Sequence, residues 1–348
     1  MDTTASILGI ELAVIQAPML GVQDERLALA VAGAGGLGSI PCALFDAMQL
    51  DRLLQRLSAH STLAEQSINL NFFCHAMAAP DPGHERRWQQ ALAPYYAELG
   101  IAPTPADPAS VRRPIDAAIV EVIEQHRPRI VSFHFGLPQA DLLQRIKRSG
   151  ARVMASATTV DEGHWLAARG ADIVIAQGIE AGGHRGQFLP GNLQPPATTR
   201  GLVQQLAAAL PLPIVAAGGI GSRDGVQALH EAGASAVQAG TAYLLCPEAT
   251  TSATHRDALR APHATTAITN LLTGRPARGL VNRLMRELGP MSDLPPPFPW
   301  AAQALAPLRA NAEAAGRGDF SPLWSGTRPG LFRDLDAAAV TRVLAGSG

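Results

Sequence analysis

The stretch that decides the fold is PIVAAGGIGSRDGVQALHEAGASAVQAGT, which runs from Pro213 to Thr241. A short apolar run at residues 213–217 opens it, and a second one at 236–239 closes it. Between them lies an amphipathic segment at residues 223–232 that is typical of a helix. Two short apolar strands joined by a helix predict a pair of parallel strands with a crossover connection.

The same alternation continues outward along the chain. Apolar runs predict strands at residues 14–18, 37–40, 67–72, 130–133, 152–156, 172–176, 213–217 and 236–239. Amphipathic segments predict helices at residues 24–32, 46–59, 114–126, 139–149, 160–169, 200–210 and 223–232. Eight strands that alternate with helices favour an α/β fold in which a parallel sheet closes into a (β/α)₈ TIM barrel. A doubly wound open sheet is the structural alternative, because alternation alone does not exclude it.

The chain has 348 residues, whereas a barrel of this kind takes about 250. We therefore predict a barrel over residues 1–246, with an insertion at about 76–113. From about Pro247 the pattern changes to helices broken by loops, with three prolines at 295–297. Residues 247–348 are predicted to form an appended small helical domain beside the barrel mouth.

Composition excludes several classes of partner. The net charge is −1, and the Lys and Arg residues are scattered, so neither nucleic acid nor a membrane is an expected partner.

Cys42, Cys74 and Cys246 lie far apart without metal-ligand spacing, which indicates a reduced intracellular protein without a metal site. The N-terminus is a poor secretory signal, and no apolar run reaches transmembrane length. A cytoplasmic location is expected.

Glycines follow the last two predicted strands, at the end of a barrel where active sites lie. Gly218 and Gly219 follow the seventh strand, and Gly240 and Thr241 follow the eighth. Glycines allow close approach of the backbone to a ligand, and exposed N–H groups at a helix start favour an anion. Tight turns alone would explain each pair, but the two pairs together favour a phosphate site.

Polar residues end three other predicted strands. Gln177 precedes a glycine-rich loop at 178–186 and offers a donor and an acceptor to a heterocycle edge. His134 lies between two aromatics, where it is either a packed core residue or a base for a carbon-bound proton. Asn71 is either a strand-end cap or a donor to a cofactor oxygen. Cys74 is expected to pack, and His75 is given no role.

At these residues the chain closely resembles the nitronate monooxygenases, formerly called 2-nitropropane dioxygenases, and specifically their class I branch. The matching segments form an ordered series along the chain. They are QAPM (16–19), NFFCH (71–75), SFHFGLP (132–138), AQG (176–178), EAGGHRG (180–186), AAGGI (216–220), QAGTA (238–242) and GRPARG (274–279).

This resemblance implies a TIM barrel with non-covalent FMN that oxidises alkyl nitronates, and in some members nitroalkanes, to a carbonyl compound and nitrite with O₂. His134 matches the family's catalytic base. The residues implied to bind FMN lie on the strand ends; they are Met19, Asn71, Gln177, Gly182, Gly218, Gly219, Gln238, Gly240 and Thr241. The expected partners are a small nitronate or nitroalkane and O₂.

Two other functions remain open from the sequence. An FMN-dependent NAD(P)H enoyl-thioester or quinone reductase on the same barrel would share most of the FMN loops. A barrel without flavin could serve as a binding protein. Rapid bleaching of a bound flavin by NAD(P)H would identify the first, and a colourless protein that ignores added FMN would identify the second.

Overall fold

A computed structural model describes residues 7–59, 67–104, 111–190 and 195–347 of the chain. Eight parallel strands form one sheet. In order across the sheet they are Val14–Gln16, Ala236–Ala239, Ile214–Ala217, Ile173–Gln177, Arg152–Ala157, Ile130–His134, Ile68–Phe73 and Gly38–Pro41. The two outer strands meet through the Ile15–Leu37 pair, where the Gln16 N–H donates to the Leu37 carbonyl at 2.9 Å. The sheet is therefore a nearly closed barrel, and the open-sheet alternative is excluded.

The barrel strands are β1 (Val14–Gln16), β2 (Gly38–Pro41), β3 (Ile68–Phe73), β4 (Ile130–His134), β5 (Arg152–Ala157), β6 (Ile173–Gln177), β8 (Ile214–Ala217) and β9 (Ala236–Ala239). Each overlaps a predicted strand, and their ends differ from the prediction by at most two residues. A two-residue strand, β7 (Gly183–His184), lies in the loop after β6.

The helices of the barrel are α1 (Glu25–Gly33), α2 (Ala47–Ser58), α4 (Ala117–His126), α5 (Ala140–Arg148), α6 (Val160–Ala168), α7 (Thr199–Ala209) and α8 (Arg223–Glu231). Side-chain caps fix where several of them start. Asp46 and Gln49 form a reciprocal capping box on α2, and the Ser222 hydroxyl accepts from the Gly225 N–H at the start of α8. These caps set the boundary between each strand-end loop and the helix after it.

Alternate residues of each strand pack on opposite faces of the sheet. Val153 and Ile214 face the helices, whereas Met154 and Val215 point into the barrel. Leu8, from the segment before β1, joins the interior cluster and is fully buried. The interior is therefore a packed core, and a ligand site is confined to the strand ends.

The insertion and the C-terminal part of the chain pack on each other. The insertion forms α3 (Pro82–Leu99), which lies against α11 (Ala301–Ala314). The Trp88 indole donates to the Ala301 carbonyl at 3.1 Å, and the Tyr96 hydroxyl donates to the Ala304 carbonyl at 2.6 Å. Both rings belong to a second apolar cluster, separate from the barrel core.

The C-terminal region differs from the predicted helical domain in two respects. Besides α9 (Ala253–Arg260), α10 (Arg283–Leu288) and α11, it holds β10 (Thr266–Thr269) and β11 (Ala277–Leu280), which pair antiparallel with each other. The other edge of β11 pairs antiparallel with β7. The last helix, α12 (Ala337–Ala345), packs between α8 and α1 in the ring around the barrel. Within the described ranges, no helix is both long and apolar enough to cross a membrane.

Candidate active site

A cavity of about 370 Å³ opens at the C-terminal ends of the barrel strands, and the C-terminal region covers part of it. The volume is in the range of small-molecule sites. All ten predicted site residues line this cavity: Met19, Asn71, His134, Gln177, Gly182, Gly218, Gly219, Gln238, Gly240 and Thr241. The structure thus brings together residues that lie up to 222 positions apart, from Met19 to Thr241.

The loops after β8 and β9 form one end of the cavity. Gly218 and Gly219 have φ angles of +125° and +68°, which side chains rarely adopt. A Cβ at Gly218 would lie 2.7 Å from the Thr199 hydroxyl. In the described chain, the N–H groups of Gly218, Gly219, Gly240 and Thr241 donate to no protein acceptor. These groups are free to bind an anion.

Gly182 and Met19 line the cavity through close packing. A Cβ at Gly182 would lie 2.5 Å from the Gly326 nitrogen, so only glycine fits where this loop meets the C-terminal segment. The Met19 sulfur lies 3.5 Å from the Cβ position of Gly240. The Met19 N–H donates to Gln23 Oε1 at 2.7 Å, which fixes the loop after β1.

The amides of the strand tips are partly used within the protein. Gln177 Nε2 donates to the His184 carbonyl at 2.9 Å, and Gln177 Oε1 accepts from the Gly186 N–H at 2.7 Å. Asn71 Nδ2 donates to the Ser132 hydroxyl at 2.9 Å. Gln238 differs, because its buried Oε1 has no hydrogen-bond partner in the described part of the chain. Gln177 therefore fastens the glycine-rich loop, and Gln238 Oε1 is open to a ligand.

His134 makes a hydrogen bond through each ring nitrogen. Nε2 lies 3.2 Å from the His184 carbonyl oxygen, which can only accept, so Nε2 carries the proton. Nδ1 lies 3.1 Å from the Ser156 hydroxyl and accepts from it. Burial lowers the pKa of His134 to about 4, although the bond to His184 opposes the shift, and the Arg275 charge lowers the pKa further. His134 is thus neutral at pH 7, with its lone pair occupied by Ser156.

His184 also lines the cavity, although it is not among the site residues predicted from the sequence. The Thr273 hydroxyl donates to the Arg275 carbonyl at 3.3 Å, so its oxygen accepts from His184 Nε2 at 2.9 Å. Nδ1 is left as the acceptor and makes no hydrogen bond with the described residues. Burial, and then the charge of Arg112, hold the pKa of His184 well below its ordinary value. His184 therefore offers a free lone pair where His134 does not.

Aromatic rings surround these imidazoles. The Phe73 ring lies 5.9 Å from His134 and 6.3 Å from His184, and Trp324 lies 5.6 Å from His184. The Arg275 guanidinium stacks on Phe135 at 3.9 Å. Burial lowers the pKa of Arg275 to about 10, so it stays charged at neutral pH. This wall is apolar, with positive charge nearby.

Three further cavity residues carry no signal that sequence reasoning could use. Ser156 is the second-last residue of β5, Arg112 lies in the insertion, and Arg328 lies in the C-terminal region near Gly221. A Cβ at Gly221 would lie 3.3 Å from Arg328 Cδ, which places this cation beside the loop after β8. These three residues reach the cavity only through packing between segments that are far apart in the sequence. No group of three His, Cys, Asp or Glu suited to a metal ion occurs within the described residues.

Comparison with known proteins gives a consistent result. A model of the nitronate monooxygenase family matches residues 2–339. A nitronate monooxygenase of Pseudomonas aeruginosa is 42% identical over 347 residues, covering 99% of this chain and 98% of the relative. One from Paraburkholderia phytofirmans is 38% identical, covering 97% and 92%.

Solved structures agree with this result. A nitroalkane oxidase from Streptomyces ansochromogenes superposes with a TM-score of 0.87 at 35% identity, covering 97% of this chain and 96% of that one. FabK from Thermotoga maritima superposes with a TM-score of 0.68 at 21% identity, which shows the shared fold alone. Because the family model matches residues 2–339 and a relative at 42% identity covers 99% of the chain, the chain belongs to the nitronate monooxygenase family of flavin-dependent oxidoreductases.

Proposed function

We propose that this enzyme binds FMN and oxidises small alkyl nitronates, and neutral nitroalkanes, with O₂ to a carbonyl compound and nitrite. One observation carries the proposal. Two glycine loops, whose backbone N–H groups donate to no acceptor among the described residues, line the same cavity as two neutral imidazoles. The names of the relatives point to the same substrates.

The end of the cavity at Gly218, Gly219, Gly240 and Thr241 fits a single terminal phosphate. Free backbone N–H groups converge there, and α8 begins just beyond with its own N-terminus. Arg328 adds a positive charge near the same loop. We assign these two short loops to the single phosphate of FMN.

The middle of the cavity fits a flavin ring. Gln238 Oε1 is a buried acceptor without a partner, and a ring N–H would satisfy it. We assign the remaining ring contacts to Asn71, Gln177, Gly182 and Met19. Bound FMN would supply the electron transfer from nitronate to O₂, which no side chain here can carry out.

A neutral nitroalkane must lose its α-proton before it can be oxidised, and His134 and His184 are two neutral imidazoles that line the cavity. The sequence favours His134, whose lone pair becomes available only when the Ser156 hydroxyl turns away. The geometry favours His184, because its Nδ1 is unpaired in the described chain. We propose that the His134–His184 pair provides the base. Since both rings are neutral, either can accept a proton.

Steady-state product analysis tests the proposed reaction. Purified holoenzyme is mixed with ethyl nitronate in air, and O₂ uptake, nitrite and acetaldehyde are measured together. The proposal predicts nitrite and acetaldehyde in equal amounts, with O₂ uptake that depends on bound flavin. O₂ uptake without nitrite would reject it.

An enoyl-thioester or quinone reductase on this barrel remains the alternative. The likeness to FabK supports it only as far as the fold, and no cavity residue favours a dinucleotide over a nitronate. Oxidation of NADH by the holoenzyme, faster than its oxidation of ethyl nitronate, would favour this alternative.

A further inference from the structure

A positive charge that has no ion-pair partner among the described residues lies in the cavity. Arg112 belongs to the segment between α3 and α4 and lines the same cavity as His134 and His184. Its Nε is buried without a hydrogen-bond partner in the described chain. No ion pair joins Arg112 to an acidic residue within the described ranges. Arg112 as a whole is half-buried. A buried guanidinium nitrogen without a partner is costly, which indicates that a ligand supplies the missing acceptor.

The neighbouring groups do not neutralise the positive charge of Arg112. Burial, and then the charge of Arg309 on α11, lower the pKa of Arg112. The nearby carboxylate of Glu313 accepts from Arg309 Nε at 2.8 Å and from the Ser321 hydroxyl at 2.6 Å, so it is already engaged. From the barrel side, His184 adds only a neutral ring. The local potential is therefore positive.

Arg112 lies beside the proposed reaction centre. After burial, its charge is the largest influence on the pKa of His184, and it also acts on His75. A nitronate is a planar group whose negative charge is shared by two oxygens on one nitrogen, like a carboxylate. The planar fork of a guanidinium matches such a group with two parallel hydrogen bonds.

We propose that Arg112 binds the nitro oxygens of the substrate and so determines the preference for the anionic nitronate over the neutral nitroalkane. This assignment rests on the proposed function. A nitronate arrives charged, and Arg112 then contributes mainly to binding. A neutral nitroalkane gains its charge only as the base removes the α-proton, and Arg112 then stabilises that transition state.

The proposal predicts a split between KM and kcat. In Arg112→Met holoenzyme, KM for ethyl nitronate should rise about 10- to 100-fold with little change in kcat, since one charged hydrogen-bonding group is lost. For nitroethane, kcat should fall while KM changes little. Arg112→Lys keeps the charge without the fork and should be intermediate. Arg86→Met, on the exposed surface of α3, removes the same charge away from the cavity and should resemble wild type.

A direct binding measurement tests the anion site independently of catalysis. Nitrate is planar with its charge on oxygen, and its Kd for each holoenzyme can be measured by calorimetry without turnover. We expect binding to wild type and Arg86→Met, and at least tenfold weaker binding to Arg112→Met at equal flavin content. Equal nitrate affinity in Arg112→Met and wild type, or no binding to wild type, would overturn the inference.

If nitrate binding depends on Arg112 but ethyl nitronate is not oxidised, the proposed function fails and the anion site stands. If nitronate is oxidised with unchanged KM in Arg112→Met, the function stands and the assignment of Arg112 fails. Should Arg112→Met not fold, as judged by its melting transition, Arg112→Lys and Arg112→Gln carry the same comparison.

Discussion

The ring Nε2 of His134 lies 3.2 Å from the carbonyl oxygen of His184. The same carbonyl accepts from Gln177 Nε2 at 2.9 Å. The tips of β4 and β6 are therefore fastened to the glycine-rich loop at one oxygen atom. This bond fixes the tautomer of His134 and holds the backbone of His184, so the two imidazoles form one unit.

Substituting each histidine in turn distinguishes the roles of His134 and His184 in proton abstraction. If His134 is the base, His134→Asn should reduce turnover of nitroethane by about 10²- to 10⁴-fold, with a much smaller loss on ethyl nitronate. If His184 is the base, that contrast should appear in His184→Asn instead. Rates on both substrates, at equal flavin content, provide the measurement. Equal losses on the two substrates in both variants would exclude a role for either residue in proton abstraction.

The cofactor itself gives a second prediction. The protein should purify yellow, and heat denaturation should release one FMN per chain, because the two glycine loops suit one terminal phosphate. Chromatography of the released flavin distinguishes FMN from FAD. Release of FAD, or no flavin even after reconstitution, would contradict the assignment of these loops.

Gly219 tests the loop itself. Gly219→Val should abolish FMN retention, because its φ of +68° disfavours a side chain and its Cβ would lie 3.2 Å from Glu180 Cβ. Gly150→Val is a matched control: its φ is +99°, and a Cβ there would meet nothing within 4 Å. Both variants carry backbone strain of about 1–3 kcal/mol. Flavin occupancy should be lost only in Gly219→Val, and equal occupancy in the two variants would remove Gly219 from the site.

Much of this arrangement could be predicted from the sequence, since short apolar runs ending in glycine or polar residues mark the barrel strands. The rule that active sites lie at their C-terminal ends then groups residues such as Asn71 and Gln177. The orientation of His184 could not be predicted, because it depends on Thr273, 89 positions away, and on the β7–β11 pairing. Arg112 likewise enters the cavity only because the insertion packs on α11.

Because His255 is buried, we predict that the free energy of unfolding depends on pH. Burial lowers its pKa to about 4, so between pH 6.5 and 4 the unfolded chain binds a proton that the folded chain does not. The contribution of His255 to the free energy of unfolding is fully present above pH 6.5. Between pH 6.5 and 4 this contribution falls as the pH drops, by up to about 1.4 kcal/mol per pH unit. The melting temperature should therefore fall less between pH 7.5 and 5 in His255→Gln than in wild type. Parallel pH dependences would show that His255 titrates normally.

Anaerobic reduction of the bound flavin tests the central claim most directly. Holoenzyme without O₂ is mixed with ethyl nitronate or with NADH, and the flavin absorbance is followed by stopped flow. Oxidation of nitronates as the main activity predicts that ethyl nitronate changes the flavin spectrum within the turnover time, whereas NADH acts far more slowly. Rapid bleaching by NADH with no response to ethyl nitronate would contradict it.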